Sequence, residues 1–189
     1  MTVVKNFKTY EVITSRTQAH LLYQSTLDRL LNDVAVPMQY YRTTGNGNWS
    51  SMRMICPVIE ALAKNDTSRR DSILKLIGIS YPAIFWAMYR HGLMHNDSAP
   101  QSIQLEKHSI GWGFNWGQNE AAIMIGNNYS LNPSVIFDNL IHLLRTQLAN
   151  RQTLEKTTIE EAMIIKIKQD TNSALKQEFI DITNDRQTN

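Results

Sequence analysis

A change of hydrophobic period near residue 103 is the sequence feature that most constrains the fold. Before it, apolar residues recur every three or four positions, which is typical of amphipathic helices. Ile103 and Leu105 alternate with polar residues, and Ile110, Trp112, Phe114 and Trp116 alternate with glycines and Asn115, and a period of two indicates β-strand. Residues 121–125 predict another short strand, followed by a turn at 126–128. We therefore predict a small antiparallel sheet, inserted between helices at about residues 101–126.

The segments on either side of this sheet have helical spacing. Pro37 is expected to close the first of them, and Asn132 followed by Pro133 is a strong start signal for the last, because a capping side chain precedes a proline at the first helical position. The predicted fold class is mainly α, a helical bundle with the small sheet inserted. The main predicted helices cover residues 15–36, 49–64, 80–95 and 132–150.

The segment after residue 150 is predicted to be a C-terminal helical extension, residues 151–189, with a frayed polar tail. The run from Thr158 to Glu161 fits a capping box, which favours a helix that begins there. Residues 163–168 alternate in part, so a strand stays open as the alternative. The predicted domain organisation is one domain at 1–150, which carries the sheet, followed by this extension.

Composition places the chain among globular proteins, with 42% hydrophobic and 19% charged residues. The net charge of +2 excludes the strongly basic class of nucleic-acid binders, so any nucleic-acid contact has to be local. The single cysteine, Cys56, excludes a disulfide within the chain and predicts a buried reduced thiol. The first residues do not resemble a signal peptide, and no stretch is apolar for long enough to cross a membrane, so we expect a cytoplasmic protein.

A cluster of ionisable residues closes the third predicted helix and is the candidate site. The segment from Tyr89 to Asp97 reads YRHGLMHND and follows the apolar run IFWAM. Core-forming helices seldom carry an arginine and two histidines unless something pairs with them. Arg90, His91 and His95 are therefore the candidate functional residues, and Asn96 directly follows them.

The aromatic row in the predicted sheet has two interpretations. Trp112, Phe114 and Trp116 would share one face of a strand, where a row of rings can stack nucleobases. Such rows more often pack against adjoining helices, because burying aromatic rings is strongly favourable. We expect packing and keep base stacking as the alternative.

The segment from Arg90 to His95 resembles the defining motif of the HEPN superfamily. That motif is an arginine followed after four to six residues by a histidine, often with Asn, Asp or His directly after the arginine, and His91 fits that position. The resemblance covers roughly residues 15–150 and implies a helical bundle, here with a β-hairpin insertion, and a homodimer that brings two motifs together. It also implies metal-independent endoribonuclease activity without a cofactor, often in toxins paired with a nucleotidyltransferase-like antitoxin. Other members are non-catalytic modules that bind RNA, nucleotides or proteins.

The residue types suit RNA cleavage independently of the resemblance. The RNA 2′-OH can attack the adjacent phosphorus if a protein group moves protons and another stabilises the phosphate charge. A histidine titrates near neutral pH and serves as base or acid, whereas an arginine stays charged and offers a fork that matches phosphate oxygens. These are the roles expected of His95 and Arg90, with His91 and Asn96 in support.

Two alternatives remain open for the same residues. His91 and His95 are spaced i, i+4, which suits a metal site completed by Asp97 or another carboxylate, although no third ligand is identified and we expect no metal. Arg90 and His95 can also be plain helix-terminus residues, since cations are favoured at a helix C-terminus. On a regular helix Arg90 and His95 do not share a face, because five residues turn the chain by roughly 500°.

Overall fold

A computed structural model describes residues 3–64, 66–91 and 102–187 of the chain. The structure is 56% helix and 23% strand, and its strands form two separate sheets. The prediction of a mainly α helical bundle with one small sheet is therefore wrong, and the fold is mixed α/β. The sequence pattern missed a second sheet because its strands lie far apart along the chain.

The chain divides into two compact units. The terminal unit combines both ends of the sequence, Met1–Leu21 and Gln152–Asn189, and the central unit is Leu22–Arg151. Each unit is described below by itself.

The terminal unit contains a three-stranded antiparallel sheet. Its strands are β1 (Val3–Asn6), β2 (Tyr10–Gln18) and β7 (Thr158–Ile167), in the order β1-β2-β7. The β2–β7 register shifts between Ile13 and Thr14, which pair with Ile164 and Ala162. Met163 is thus the extra residue of a β-bulge, which increases the local twist.

The helix predicted to begin at Thr158 is wrong, because residues 158–167 form β7. A capping box is a local signal, whereas β7 is held by a ladder to β2 at the other end of the sequence. The isoleucines and the partial alternation noted in this segment suit a strand once that partner exists. The following helix, α8 (Ala174–Gln187), agrees with the prediction that the chain continues helically beyond Ala174.

The helix predicted over residues 15–36 begins later and ends later than expected. Residues up to Gln18 belong to β2, and the helical run comprises α1 (Ala19–Arg29), a π-helical turn (Leu30–Val34) and α2 (Ala35–Thr44). Pro37 does not close the run. It lies in the first turn of α2, which continues directly from the π-helical turn, so the helical run passes through it.

The remaining helices before the second sheet build the core of the central unit. They are α3 (Asn48–Ala63), α4 (Thr67–Leu76) and α5 (Pro82–Phe85), and a second π-helical turn (Trp86–His91) follows. The prediction for α3 is confirmed, and Cys56 is buried in it. Residues of this core that are fully buried include Met38, Met52, Ile55, Ile59, Leu74, Ile77 and Phe85.

The central unit also contains a four-stranded sheet where the period change predicted one. Its strands are β3 (Ser102–Leu105), β4 (His108–Phe114), β5 (Ala122–Ile125) and β6 (Asn128–Leu131), in the order β3-β4-β6-β5. The β4–β6 pair is parallel, so the prediction of a purely antiparallel sheet is wrong. The segment between β4 and β5 crosses over and places β6 between them.

Two helices follow this sheet, α6 (Pro133–Ala149) and the short α7 (Arg151–Glu155). The predicted cap of α6 is confirmed, because Asn132 Oδ1 accepts hydrogen bonds from the backbone N–H groups of Ser134 and Val135 at 3.0 and 3.4 Å. Within the described parts of the chain, none of these helices combines the length and apolar character needed to cross a membrane.

Candidate functional site

The helix that carries the candidate motif changes its winding just before the motif. α5 begins with Pro82 at a first-turn position and passes after Phe85 into the π-helical turn Trp86–His91. π-Helical turns are rare and are found frequently at functional sites. Along this turn Met88 and Tyr89 are fully buried, whereas Ala87 is exposed.

Tyr89 fixes this turn to the four-stranded sheet. Its hydroxyl donates to the carbonyl oxygen of Tyr129 at 2.6 Å and lies 3.3 Å from that of Gly113. These two carbonyls belong to the parallel neighbours β4 and β6, so a single hydroxyl ties the turn to both strands. The residue directly before Arg90 is therefore an anchor, and the backbone of Arg90 starts from a fixed point.

Burial keeps the nearby phenols protonated. It raises the pKa of Tyr89 well above its ordinary value, against the smaller opposing effect of the hydrogen bond to Gly113. Burial also raises the pKa of Tyr129 to about 12, although its hydroxyl accepts from the backbone N–H of Tyr81. Neither tyrosine can act as a general base near neutral pH, so both have structural roles.

Half-buried aromatic rings surround the anchor. The Trp112 and Phe114 ring centroids lie 5.9 and 5.7 Å from that of Tyr89. Trp49 of α3 packs edge-on against the same two rings, at 4.6 and 5.5 Å. The predicted packing of the aromatic row against helices is thus confirmed for Trp112 and Phe114. Trp116 lies beyond the end of β4 and is also partly buried.

The first residue of the π-helical turn faces a cation. The Arg70 guanidinium lies 4.7 Å from the centroid of the Trp86 ring, a cation–π contact. Arg70 also donates from Nε and Nη2 to one carboxylate oxygen of Asp71, at 2.9 and 2.7 Å. A small cleft lined by Glu60, Asp66, Arg70 and Trp86 has a volume of about 70 Å³, which is too small for a nucleotide.

The predicted site residues are only partly within the described structure. The backbones of Arg90 and His91 form the end of the π-helical turn, and their side chains lie outside the described residues. His95, Asn96 and Asp97 lie outside them entirely. That the side chains of Arg90 and His95 lie close together therefore stays a prediction. The supporting roles of His91 and Asn96 stay predictions as well.

The metal alternative is not tested either. In the described ranges, no three His, Cys, Asp or Glu side chains converge as a metal site would require. The side chains of that alternative, His91, His95 and Asp97, lie outside the described residues, so this observation does not test it.

Sequence reasoning missed the residues that anchor the site. The Tyr89 hydroxyl bonds residues of β4 and β6, and the Arg70 contact with Trp86 joins α4 to the π-helical turn. A tyrosine inside an otherwise apolar helix is the only local signal, because a buried phenol usually needs an acceptor. Nothing local indicates the π-helical winding.

Comparison of the chain with protein-family models, with curated proteins and with solved structures found no match. The resemblance to the HEPN superfamily therefore rests on the residues of the motif alone.

Proposed function

We propose that this protein is a metal-independent endoribonuclease that cleaves RNA by attack of the substrate's own 2′-OH, in the manner of HEPN-type nucleases. Arg90 binds the scissile phosphate and His95 acts as general acid or base, supported by His91 and Asn96. The observation that carries the proposal is the spacing of Arg90, His91 and His95, the first two of which end an anchored π-helical turn. The helical bundle implied by the resemblance gives no support, since the fold is mixed α/β.

The π-helical winding of the turn supports the proposal that Arg90 and His95 act together. A π-helix closes i→i+5 hydrogen bonds, so residues five apart lie close to one face, whereas on an α-helix they diverge. Arg90 and His95 are five apart, and the chain enters the motif already wound in this way through His91. The proposal requires the same winding to continue to His95, which would bring the two residues close to one face.

The anchor supports the reaction because catalysis requires fixed geometry. A charge that stabilises a phosphorane acts best when its position is set before the reaction. Tyr89 is fully buried and bonded to the carbonyl of Tyr129 at 2.6 Å, so the backbone next to Arg90 is held by the sheet.

The proposed enzyme acts as a homodimer. A single motif offers one arginine and one catalytic histidine, whereas cleavage needs two proton transfers and charge stabilisation. A twofold axis doubles every group and gives two arginines and two catalytic histidines around one cleft. A protein antitoxin is a further partner that the resemblance implies.

A second candidate is a non-catalytic module that binds RNA, a nucleotide or a protein partner. The net charge of +2 favours it, because RNA-cleaving proteins usually gather substrate with a strongly basic surface. The two candidates differ in whether any phosphodiester bond is broken.

The test is cleavage of a panel of single-stranded and structured RNAs in EDTA, with matched DNA as the control substrate. We expect the RNA to be cut, the DNA to stay intact, and the 5′ fragment to end in a 2′,3′-cyclic phosphate. His95→Ala and Arg90→Ala should each lose about 10²–10⁴-fold in rate, and Arg90→Lys should recover only part of it.

The matched control is His142→Ala, which removes an exposed histidine of α6 and should cut like wild type. If no RNA is cut, or if His95→Ala cuts as fast as wild type, the nuclease proposal is wrong and the binding module replaces it. Activity that disappears in EDTA and returns with zinc would instead support the metal site.

A further inference from the structure

The terminal sheet ends on a strand with an open edge. β7 pairs with β2 on one side, and among the described residues no strand pairs with its other side. The ten residues of β7 therefore present a row of backbone N–H and C=O groups along that side, which is a template for another strand.

Two adjacent isoleucines on β7 are exposed on opposite faces of the sheet. Ile164 is 58% exposed and Ile165 is 64% exposed. Because successive side chains of a strand point to opposite faces, a helix laid on one face would cover only one of them. A strand added at the edge brings cross-strand neighbours to both faces at once.

The order of charges along β7 selects the orientation of that added strand. The acidic residues Glu160 and Glu161 precede the basic residues Lys166 and Lys168. A second β7 in antiparallel orientation brings acidic residues beside basic ones, whereas a parallel copy would align like charges. The chain already uses this order once, because the β2–β7 register sets Glu11 opposite Lys166 and Arg16 opposite Glu160.

The bulge at Met163 sets which residues of β7 lie on one face. It shifts the alternation by one residue, so Glu161 and Lys166, which pair with Ser15 and Glu11 of β2, lie on the same face. Bulges and lysines on an edge strand oppose pairing in general, so a partner strand has to offer complementary charges. A second copy of β7 in antiparallel orientation offers them, because its Lys166 comes opposite Glu161.

We propose that β7 is the edge through which two copies of this chain associate, antiparallel about a twofold axis near Met163 and Ile164. The two sheets then form one six-stranded sheet whose register sets Glu161 of each copy opposite Lys166 of the other. The contact is isologous, so by itself it closes at two copies. The proposal goes beyond the reaction proposed above and holds whether or not the protein cuts RNA. If the nuclease proposal also holds, the same twofold axis has to bring the two motifs together, because a second isologous contact about another axis would extend the assembly beyond two copies.

The experiment measures the dimer dissociation constant by sedimentation and light scattering of the full chain. Glu161→Lys and Lys166→Glu each place like charges opposite one another twice, and each should weaken the dimer about tenfold or more. The double variant exchanges the charges and should return to within about threefold of wild type. An equimolar mixture of the two single variants should associate as well, because both charge pairs are complementary in the mixed dimer.

Leu105→Lys is the matched control, since Leu105 is 76% exposed on an edge strand of the other sheet and should leave the dimer intact. Circular dichroism establishes that each variant is folded. If Lys166→Glu does not fold, because it faces Glu11 within the chain, Glu161→Lys carries the test alone, since Glu161 faces the neutral Ser15. A protein that stays monomeric at tens of micromolar, or a dimer unaffected by Glu161→Lys, would overturn the proposal.

Discussion

The two sheets of this protein differ in what covers their side chains. In the central unit, Trp112 and Phe114 of β4 pack on Trp49 and Tyr89, so the sheet finds its cover within its own unit. In the terminal unit, Ile164 and Ile165 of β7 are more than half exposed. Alternating hydrophobicity predicts that a strand exists, but it does not say whether the cover comes from the same chain or from a partner.

The positions of the tryptophans allow the unfolding of the central unit to be measured separately. The chain has 4 of them, Trp49, Trp86, Trp112 and Trp116, and all lie in the central unit. Intrinsic tryptophan fluorescence therefore reports unfolding of the central unit alone, and circular dichroism reports both units.

The largest expected effect is that of Tyr89→Ala. It removes a fully buried ring from the aromatic cluster and leaves the carbonyl of Tyr129 without its hydroxyl donor. We expect a loss of about 3–5 kcal/mol in the free energy of unfolding, as is usual when a large buried aromatic residue is truncated. Urea unfolding followed by tryptophan fluorescence measures it, and a loss below about 1 kcal/mol would show that Tyr89 is not an anchor.

The next effect is a loss of stability at high pH. The folded pKa of Tyr129 is about 12, above the ordinary value of 10.0, and burial raises that of Tyr89 as well. A raised folded pKa means that the contribution of these groups is complete below pH 10 and is lost as the pH rises through the folded pKa. The central unit should lose up to about 1.4 kcal/mol per pH unit for each tyrosine above pH 10.

Urea titrations of wild type and Tyr129→Phe at pH values from about 8 to 11, which bracket the ordinary tyrosine pKa, measure this dependence. Tyr129→Phe should have a shallower decline because one titrating group is gone. Equal slopes for the two proteins would mean that the buried phenol does not couple to folding.

The smallest effect is expected in the terminal sheet. Ile165→Thr keeps the β-branched shape and changes a side chain that is 64% exposed. Below the concentration at which copies associate, we expect the free energy of unfolding to change by no more than about 0.5 kcal/mol. Thermal unfolding by circular dichroism at low concentration checks this, and a large loss would show that Ile165 is covered within a single copy.

Sequence reasoning succeeded where the signals are local. The spacing of apolar residues gave α3, the alternation gave β3 and β4, and Asn132 before Pro133 gave the start of α6. Each depends on residues within one or two turns of one another, so neighbours along the chain are sufficient to predict it.

Sequence reasoning failed where an element depends on a residue or strand that is distant along the chain. β2 and β7 are strands because they pair with one another, although Tyr10 and its partner Ile167 lie at opposite ends of the sequence. The capping box at Thr158 and the helical spacing after Ser15 were local signals that this pairing overrides. The candidate site follows the same rule, since the motif is visible in the sequence while its anchor, the bond from Tyr89 to Tyr129, joins distant segments.

The pairing of β2 with β7 also sets an order of folding. The whole of the central unit, Leu22–Arg151, lies between the two strands in the chain. During synthesis the central unit can complete its core before β7 has left the ribosome, because domains fold as units in the order in which they emerge. Throughout that interval β2 has only the short β1 beside it, and β7 closes the terminal sheet as the last step. A chaperone that recognises unpaired strands would therefore bind β2 during the interval before β7 is made.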